Sequence, residues 1–276
     1  MYQCRLRGLS AVSEVSSKVV AVIPAHMASV RFPGKILFDI HGLPMIEHVR
    51  RRALLAEALT DVVVATCDEA IASAITGFGG KVIMTANTHR NGSSRVAEAL
   101  NSLDCTHAIV LQGDEPLLLP DHINALISSI SRYPEADAWN ATGSLEEESE
   151  LDRHSFVKCA VTPDNRILHC FRRSPCYADF AAQQQFTRKI LGLFAFRKTF
   201  LQGLVKLPPS PIETAESIEQ MRILENGFTM QAVKVEPALP SVNEPEEINI
   251  IFDYLDRHPE QQKLLQQVLN IQPIAN

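Results

Sequence analysis

The chain has 276 residues, 46% hydrophobic and 21% charged, with 26 basic against 32 acidic side chains for a formal charge of −6. That length allows a sizeable core, in one large α/β unit or one with a small appendage. The acidic excess argues against a nucleic-acid partner or a membrane surface, so any anionic ligand needs a local cluster of cations. No apolar stretch approaches the ~20 residues that span a bilayer.

Residues 1–17, MYQCRLRGLSAVSEVSS, lack the continuous apolar segment of a signal peptide and are expected to be a flexible extension. Residues 18–276 are expected to form one domain. Short apolar runs at 18–24, 61–66, 81–85 and 107–111 alternate with helical patterns at 44–59, 69–78, 94–103 and 121–131. That alternation predicts a mostly parallel sheet covered on both faces. The pattern then changes. Residues 156–162 and 166–171, joined by PDN, predict an antiparallel hairpin. Further strands are expected at 189–196 and 229–235, and helices at 214–225 and 245–256. The polar stretch 174–189 predicts an exposed loop or a partner-contacting excursion. The cysteines Cys4, Cys67, Cys105, Cys159, Cys170 and Cys176 form no CxxC pair. They are expected to be reduced structural thiols in a cytoplasmic protein.

Ligands of open α/β sheets bind beyond the carboxyl ends of the strands. Three such ends here carry chemistry. IPAHMASVRFPGK (23–35) leaves a buried strand and brackets a Pro-Gly turn with two cations. Arg31 offers a planar fork to phosphate oxygens and Lys35 a mobile point charge, while Gly34 permits close backbone approach. LQGDEP (111–116) ends another strand. Its Asp114 suits Mg²⁺, which takes few protein ligands plus phosphate oxygens, although an Asp there can equally cap a turn. HRNGSSR (89–95) offers amides at a helix start and the charge of Arg95, or is simply a helix cap. No G-x-G-x-x-G follows the first strand, which disfavours a dinucleotide-dependent oxidoreductase.

Together, from about residue 18 to 256, RFPGK, QGDEP, H..G..R, VVVAT, AFRK.FL and IEQ.R.LE.G resemble the CMP-Kdo synthetases. These cytidylyltransferases activate 3-deoxy-manno-octulosonate (Kdo). The resemblance implies a Rossmann-like nucleotidyltransferase sheet with a smaller antiparallel hairpin subregion for dimerisation, CTP as donor, Mg²⁺ as cofactor and a homodimer. It implies that Arg31 and Lys35 hold the triphosphate and Asp114 the metal. Ala25, His26, His89, Asn91, Ser93, Arg95 and Gln112 would surround the nucleotide. Lys158, Arg172, Glu219 and Gln220 would face an acidic sugar. For Glu219 and Gln220 the residues alone fit a solvated helix face equally well.

Five positions depart from the family pattern: His26 for Arg, Cys67 for Asp, Ser94 for Glu, Ile190 for His and Asn243 for Asp. Asn243 would be the second metal ligand, and it offers a carbonyl oxygen without charge. Cytidylyl transfer to Kdo is therefore accompanied by two alternatives: transfer to a different acid, such as another acidic sugar or a phosphonate, and nucleotide binding without turnover.

Overall fold

Strand β1 (Val19–Ala25) is buried along its whole length, as a strand covered on both faces and both edges must be. The structure, a computed structural model describing residues 17–89 and 91–272, sets β1 in the middle of the fold. The expected extension at 1–17 therefore lies almost wholly outside the described residues. A short antiparallel pair, β2 (Asp39–Ile40) and β3 (Leu43–Pro44), leads into α1 (Met45–Leu54). The alternation continues through β4 (Asp61–Thr66), α2 (Glu69–Gly77), β5 (Lys81–Met84), α3 (Gly92–Ala99), β6 (His107–Leu111) and α4 (Pro120–Arg132). β4 and β6 flank β1 in parallel, and β5 extends the sheet beyond β4. Helix α1 stops five residues short of its expected end. The chain must turn there to start β4, and Thr60 N donates to Val19 O to fix that return.

The second half is mixed. β7 (Ala138–Gly143), the hairpin β8 (Lys158–Val161) and β9 (Ile167–Phe171), a helical turn α5 (Phe180–Gln183) and the long β10 (Thr187–Arg197) precede α6 (Lys198–Leu204). Then come α7 (Pro211–Glu216), α8 (Gln220–Glu225), β11 (Met230–Lys234), α9 (Ile248–Arg257) and α10 (Pro259–Asn270). The nine-stranded sheet runs β11-β7-β10-β6-β1-β4-β5, with β8 on β10 and β9 on β8. The hairpin forms where PDN predicts it, with Asn165 in the left-handed region.

Two expectations are corrected, and two elements are added. The stretch 174–189 is not simply a loop: Asp179 caps α5, Gln183 is buried, and Thr187–Lys189 pairs with β8. The single helix expected over 214–225 is two, broken at Ser217, whose φ of 54° no helix accommodates. β7 and α10 are additional elements. AWNATG in β7 carries no polar–apolar alternation because both its faces are buried.

One apolar layer packs Ile23 and Val64 against Ile46, Val49, Ile123 and Leu126. The opposite face packs Val22 and Val110 against Val96, Met221 and Ile223. A smaller cluster joins Met45 and Leu117 to Ile251, Leu255 and Leu265 of the last two helices. From β1 the chain crosses to β4 and later returns to β6 on the other side. The carboxyl ends of β1 and β6 thus border a topological switch point, where such sheets open a ligand crevice. Pairing of β1 with β6 ends at Val22↔Val110, so Pro24, which has no N–H, interrupts no ladder bond on that side.

Candidate active site

The loop after β1 folds back through Ser29 N and Gly34 N, which both donate to Met27 O. Gly34, with φ of 72°, makes the left-handed turn that starts the next helical turn at Lys35. Asp68, just past β4, anchors the loop by accepting from Met27 N at 2.9 Å. Lys35 is thereby aimed across the crevice, and its ammonium donates to Asp114 Oδ2 at 2.5 Å and to Val242 O at 2.8 Å. Val242 N in turn donates to Asp114 O at 2.9 Å. Arg31 is exposed, with Nη2 donating to Asn243 Oδ1 at 3.1 Å and Nη1 3.6 Å from Glu244 Oε1. Arg31, Lys35, Asp114 and Asn243, from three distant segments, therefore meet as the motifs imply.

The neighbouring wall is built by close backbone approach. A methyl group on Gly92 would lie 2.9 Å from Pro24 Cγ, and one on Gly113 3.0 Å from Ile36 Cδ1. Asn91 caps α3 by accepting from Ser94 N at 3.0 Å. Arg95 is buried, and its guanidinium donates to Thr85 Oγ1 at 2.6 Å and Ala86 O at 3.3 Å, so it braces the wall. His89 donates from Nε2 to Glu98, which also accepts from Ala86 N. The bond from His89 is the main influence holding the Glu98 carboxyl below its ordinary range. Ala25 is buried at the end of β1, Gln112 is half-buried and His26 is exposed.

On the far side, a bulge in β10 between Ile190 and Phe194 leaves carbonyls without sheet partners. Asn140 of β7 serves them, donating to Leu191 O at 3.0 Å and accepting from Gln220 Nε2 at 3.2 Å. A side chain at Gly192, inside the bulge, would collide with Glu115 Oε1. Burial, with the charge of Asp114, pushes the Glu115 carboxyl up to about 8. Near neutrality Glu115 is therefore held mainly in its protonated form. Burial also raises Glu219, which is hydrogen-bonded to Ser93 at the start of α3. The nucleotide and acceptor residues implied by the motifs are joined through that contact. Asn140 carries no signal in the sequence, because its partners Leu191 and Gln220 come from remote segments.

Lys158 and Arg172 depart from the expectation. The Lys158 ammonium is fully buried and donates to three carbonyls, those of Arg153, Phe156 and Arg172. Arg172 donates to Glu216 O at 2.7 Å, His154 O at 2.9 Å and Ser217 O at 3.0 Å. Both cations are engaged with backbone, and together they pin the Ser217 break that presents Glu219 and Gln220.

Comparison with known proteins agrees with this fold. The cytidylyltransferase family model matches residues 20–235. The 3-deoxy-manno-octulosonate cytidylyltransferase of Zea mays is 40% identical over 239 residues, which cover 85% of this chain and 80% of the maize protein. The chain belongs to the CMP-Kdo synthetase family. Another relative, the 8-amino-3,8-dideoxy-manno-octulosonate cytidylyltransferase of Shewanella halifaxensis, is 37% identical over 236 residues, 84% of this chain and 96% of the relative. Among solved structures, a CMP:2-keto-3-deoxy-manno-octonic acid synthetase complexed with CTP superposes with a TM-score of 0.82 at 34% identity, covering 87% of this chain and 99% of that one.

This cytidylyltransferase, a nucleotidyltransferase, carries its five departures in distinct settings. His26 is exposed at the crevice mouth, and Cys67 lies beside Asp68. Ser94 closes the α3 cap from Oγ to Asn91 O at 2.9 Å. Ile190 packs with the apolar layer below α8, its N–H donating to Val157 O. Asn243 is held by Arg31. Among the described residues no three His, Cys, Asp or Glu side chains gather as a metal cage, and no helix is long and apolar enough to cross a membrane.

Proposed function

We propose that the protein transfers CMP from CTP to the hydroxyl of Kdo or a closely related acidic sugar, releasing pyrophosphate, with Mg²⁺ as cofactor. The observation that carries this reading is the junction of Lys35, Asp114 and Val242 at the switch point, flanked by Arg31 on Asn243. The residues suit Mg²⁺, which needs one or two protein oxygens beside water and phosphate. Among the described residues Asp114 Oδ1 accepts no hydrogen bond, and Asn243 adds a neutral oxygen. When bound, the metal would neutralise charge on the triphosphate and on the departing pyrophosphate.

The chain's own part is to hold and orient. An acceptor oxygen attacks the α-phosphorus, and the bond to the pyrophosphate oxygen breaks. Arg31 and Lys35 offer donors to the charge that builds there, fixed in place before the reaction. Arg31, exposed and tied only to Asn243 and Glu244, is free to move onto phosphate oxygens. Glu219 and Gln220 mark the acceptor side, with Ser93 joining it to the nucleotide wall.

A second reading, transfer to a different acid, is favoured by Ile190 and by the engagement of Lys158 and Arg172 with backbone. Pyrophosphate release from CTP and Mg²⁺ with Kdo, 8-amino-3,8-dideoxy-manno-octulosonate and phosphonates tests both. Turnover with Kdo or its 8-amino analogue supports the first reading and preference for a phosphonate the second. CTP binding without release from any acceptor overturns both. We take the protein to act as a cytoplasmic homodimer, using the hairpin region with its exposed Leu168 and Tyr177.

A further inference from the structure

Helix α1 carries three consecutive arginines, all buried. Arg50 and Arg51 share the carboxylate of Glu47. Arg52, with no exposed surface, forms no ion pair among the described residues, and its Nε and Nη2 have no hydrogen-bond partner. A buried guanidinium without a counterion is unfavourable, and burial pulls Arg52 down to about 9. If the helix had only to pack here, an apolar side chain would serve better.

What Arg52 does hold is specific. Its Nη1 donates to Leu118 O at 3.2 Å and to Gln261 Oε1 of α10 at 2.9 Å. Gln261, also buried, donates from Nε2 to Leu117 O at 2.9 Å. Two successive carbonyls of the segment between β6 and α4 are thus caught by one side chain from α1 and one from α10. That segment also carries Asp114. Leu118 N donates back to Glu115 O at 3.1 Å, closing the turn, while Val242 N holds Asp114 O at the other end. Arg51 Nη1 reaches Val268 O at 2.8 Å and fixes α10 to α1 at a second point.

We infer that Arg52 and Gln261 are positioning residues, clamping the 114–118 turn so that the Asp114 carboxylate stays directed at the metal–triphosphate. The last helix thereby reaches the turn that carries Asp114 without touching the reacting groups. The inference rests on the role given to Asp114 above. Outer partners that orient a metal-binding carboxylate affect metal affinity directly.

Two variants separate clamping from packing. Gln261→Glu keeps an acceptor for Arg52, supplies the missing counterion and removes the donor to Leu117 O. Gln261→Leu removes both bonds at similar size. Mn²⁺ binding in the presence of CTP is read by electron paramagnetic resonance, Mg²⁺ dependence by pyrophosphate release, and folding by thermal melting. Gln261→Glu is expected to melt at or above the wild-type temperature while Mn²⁺ affinity weakens and half-saturating Mg²⁺ rises, each about tenfold. The maximal rate at saturating metal should stay near wild type. Folded Gln261→Glu protein with wild-type Mn²⁺ affinity and Mg²⁺ dependence overturns the inference alone, whatever Gln261→Leu does. Wild-type protein that binds no Mn²⁺ with CTP overturns the reading of Asp114 and this inference with it.

Discussion

Lys35 is a cation held by one carboxylate and one carbonyl, with 11% of its side chain exposed. Asp114→Ala is expected to lower pyrophosphate release by about 10²–10³-fold while the protein still folds, because Val242 O retains the ammonium. A coupled phosphate assay beside a melting curve checks this. Asn243→Asp restores charge beside Arg31 and should lower half-saturating Mg²⁺ by about fivefold, since ligand charge sets affinity at such sites. His48 gives a third test. Burial, above all, lowers it to about 4, while Nε2 holds Ile40 O. The unfolded chain binds the proton at its ordinary 6.5, so unfolding takes up protons between 6.5 and 4 and stability falls as pH falls through that window. His48→Gln, which keeps a donor for Ile40 O, should flatten that slope by up to about 3 kcal/mol in denaturant titrations at pH 7 and pH 4.5. Among single residues, Arg31, Lys35 and Asp114 stood out because each is polar and follows a strand end, whereas Asn243 stood out only through the family pattern; the structure brings the four together. The backbone bonds of Lys158 and Arg172 were not legible, because a cation engaged with carbonyls looks, in sequence, like one awaiting an anion.

The parallel half of the sheet was legible as elements because its strands are short apolar runs and its helices have clear stops. The antiparallel half was less so. β7 is buried on both faces and reads as neither pattern, and the α7–α8 break turns on a left-handed Ser217 whose N–H donates to Glu213 O and whose carbonyl accepts from Arg172. That break yields a prediction for the element it presents. Arg172→Ala should raise the acceptor KM by about tenfold and leave the CTP KM near wild type, because Glu219 and Gln220 lose their fixed entry while the β1–β6 wall is untouched. Steady-state kinetics varying each substrate separates the two. Lys158→Met should instead destabilise the hairpin region by about 2–4 kcal/mol, because three part-buried carbonyls lose their donor. Urea unfolding measures that loss.

For the molecule as a whole, a double change of exposed side chains, Leu168→Asp with Tyr177→Ser, should shift the mass seen by light scattering from dimer to monomer. An unchanged dimer would move the interface elsewhere. The assembled fold also sets the order in which the site can exist. The ammonium of Lys35 waits for Asp114, 79 residues on, and then for Val242, 207 residues on. On a ribosome delivering the chain from its amino end, the β1–β6 crevice can form while the segment that completes it is still unmade. The matched family region ends at 235, before Val242, Asn243 and α10. Nascent protein halted at that boundary would carry every strand of the sheet and still lack the carbonyl that steadies Lys35, so grip on CTP should arise only with the last stretch of synthesis.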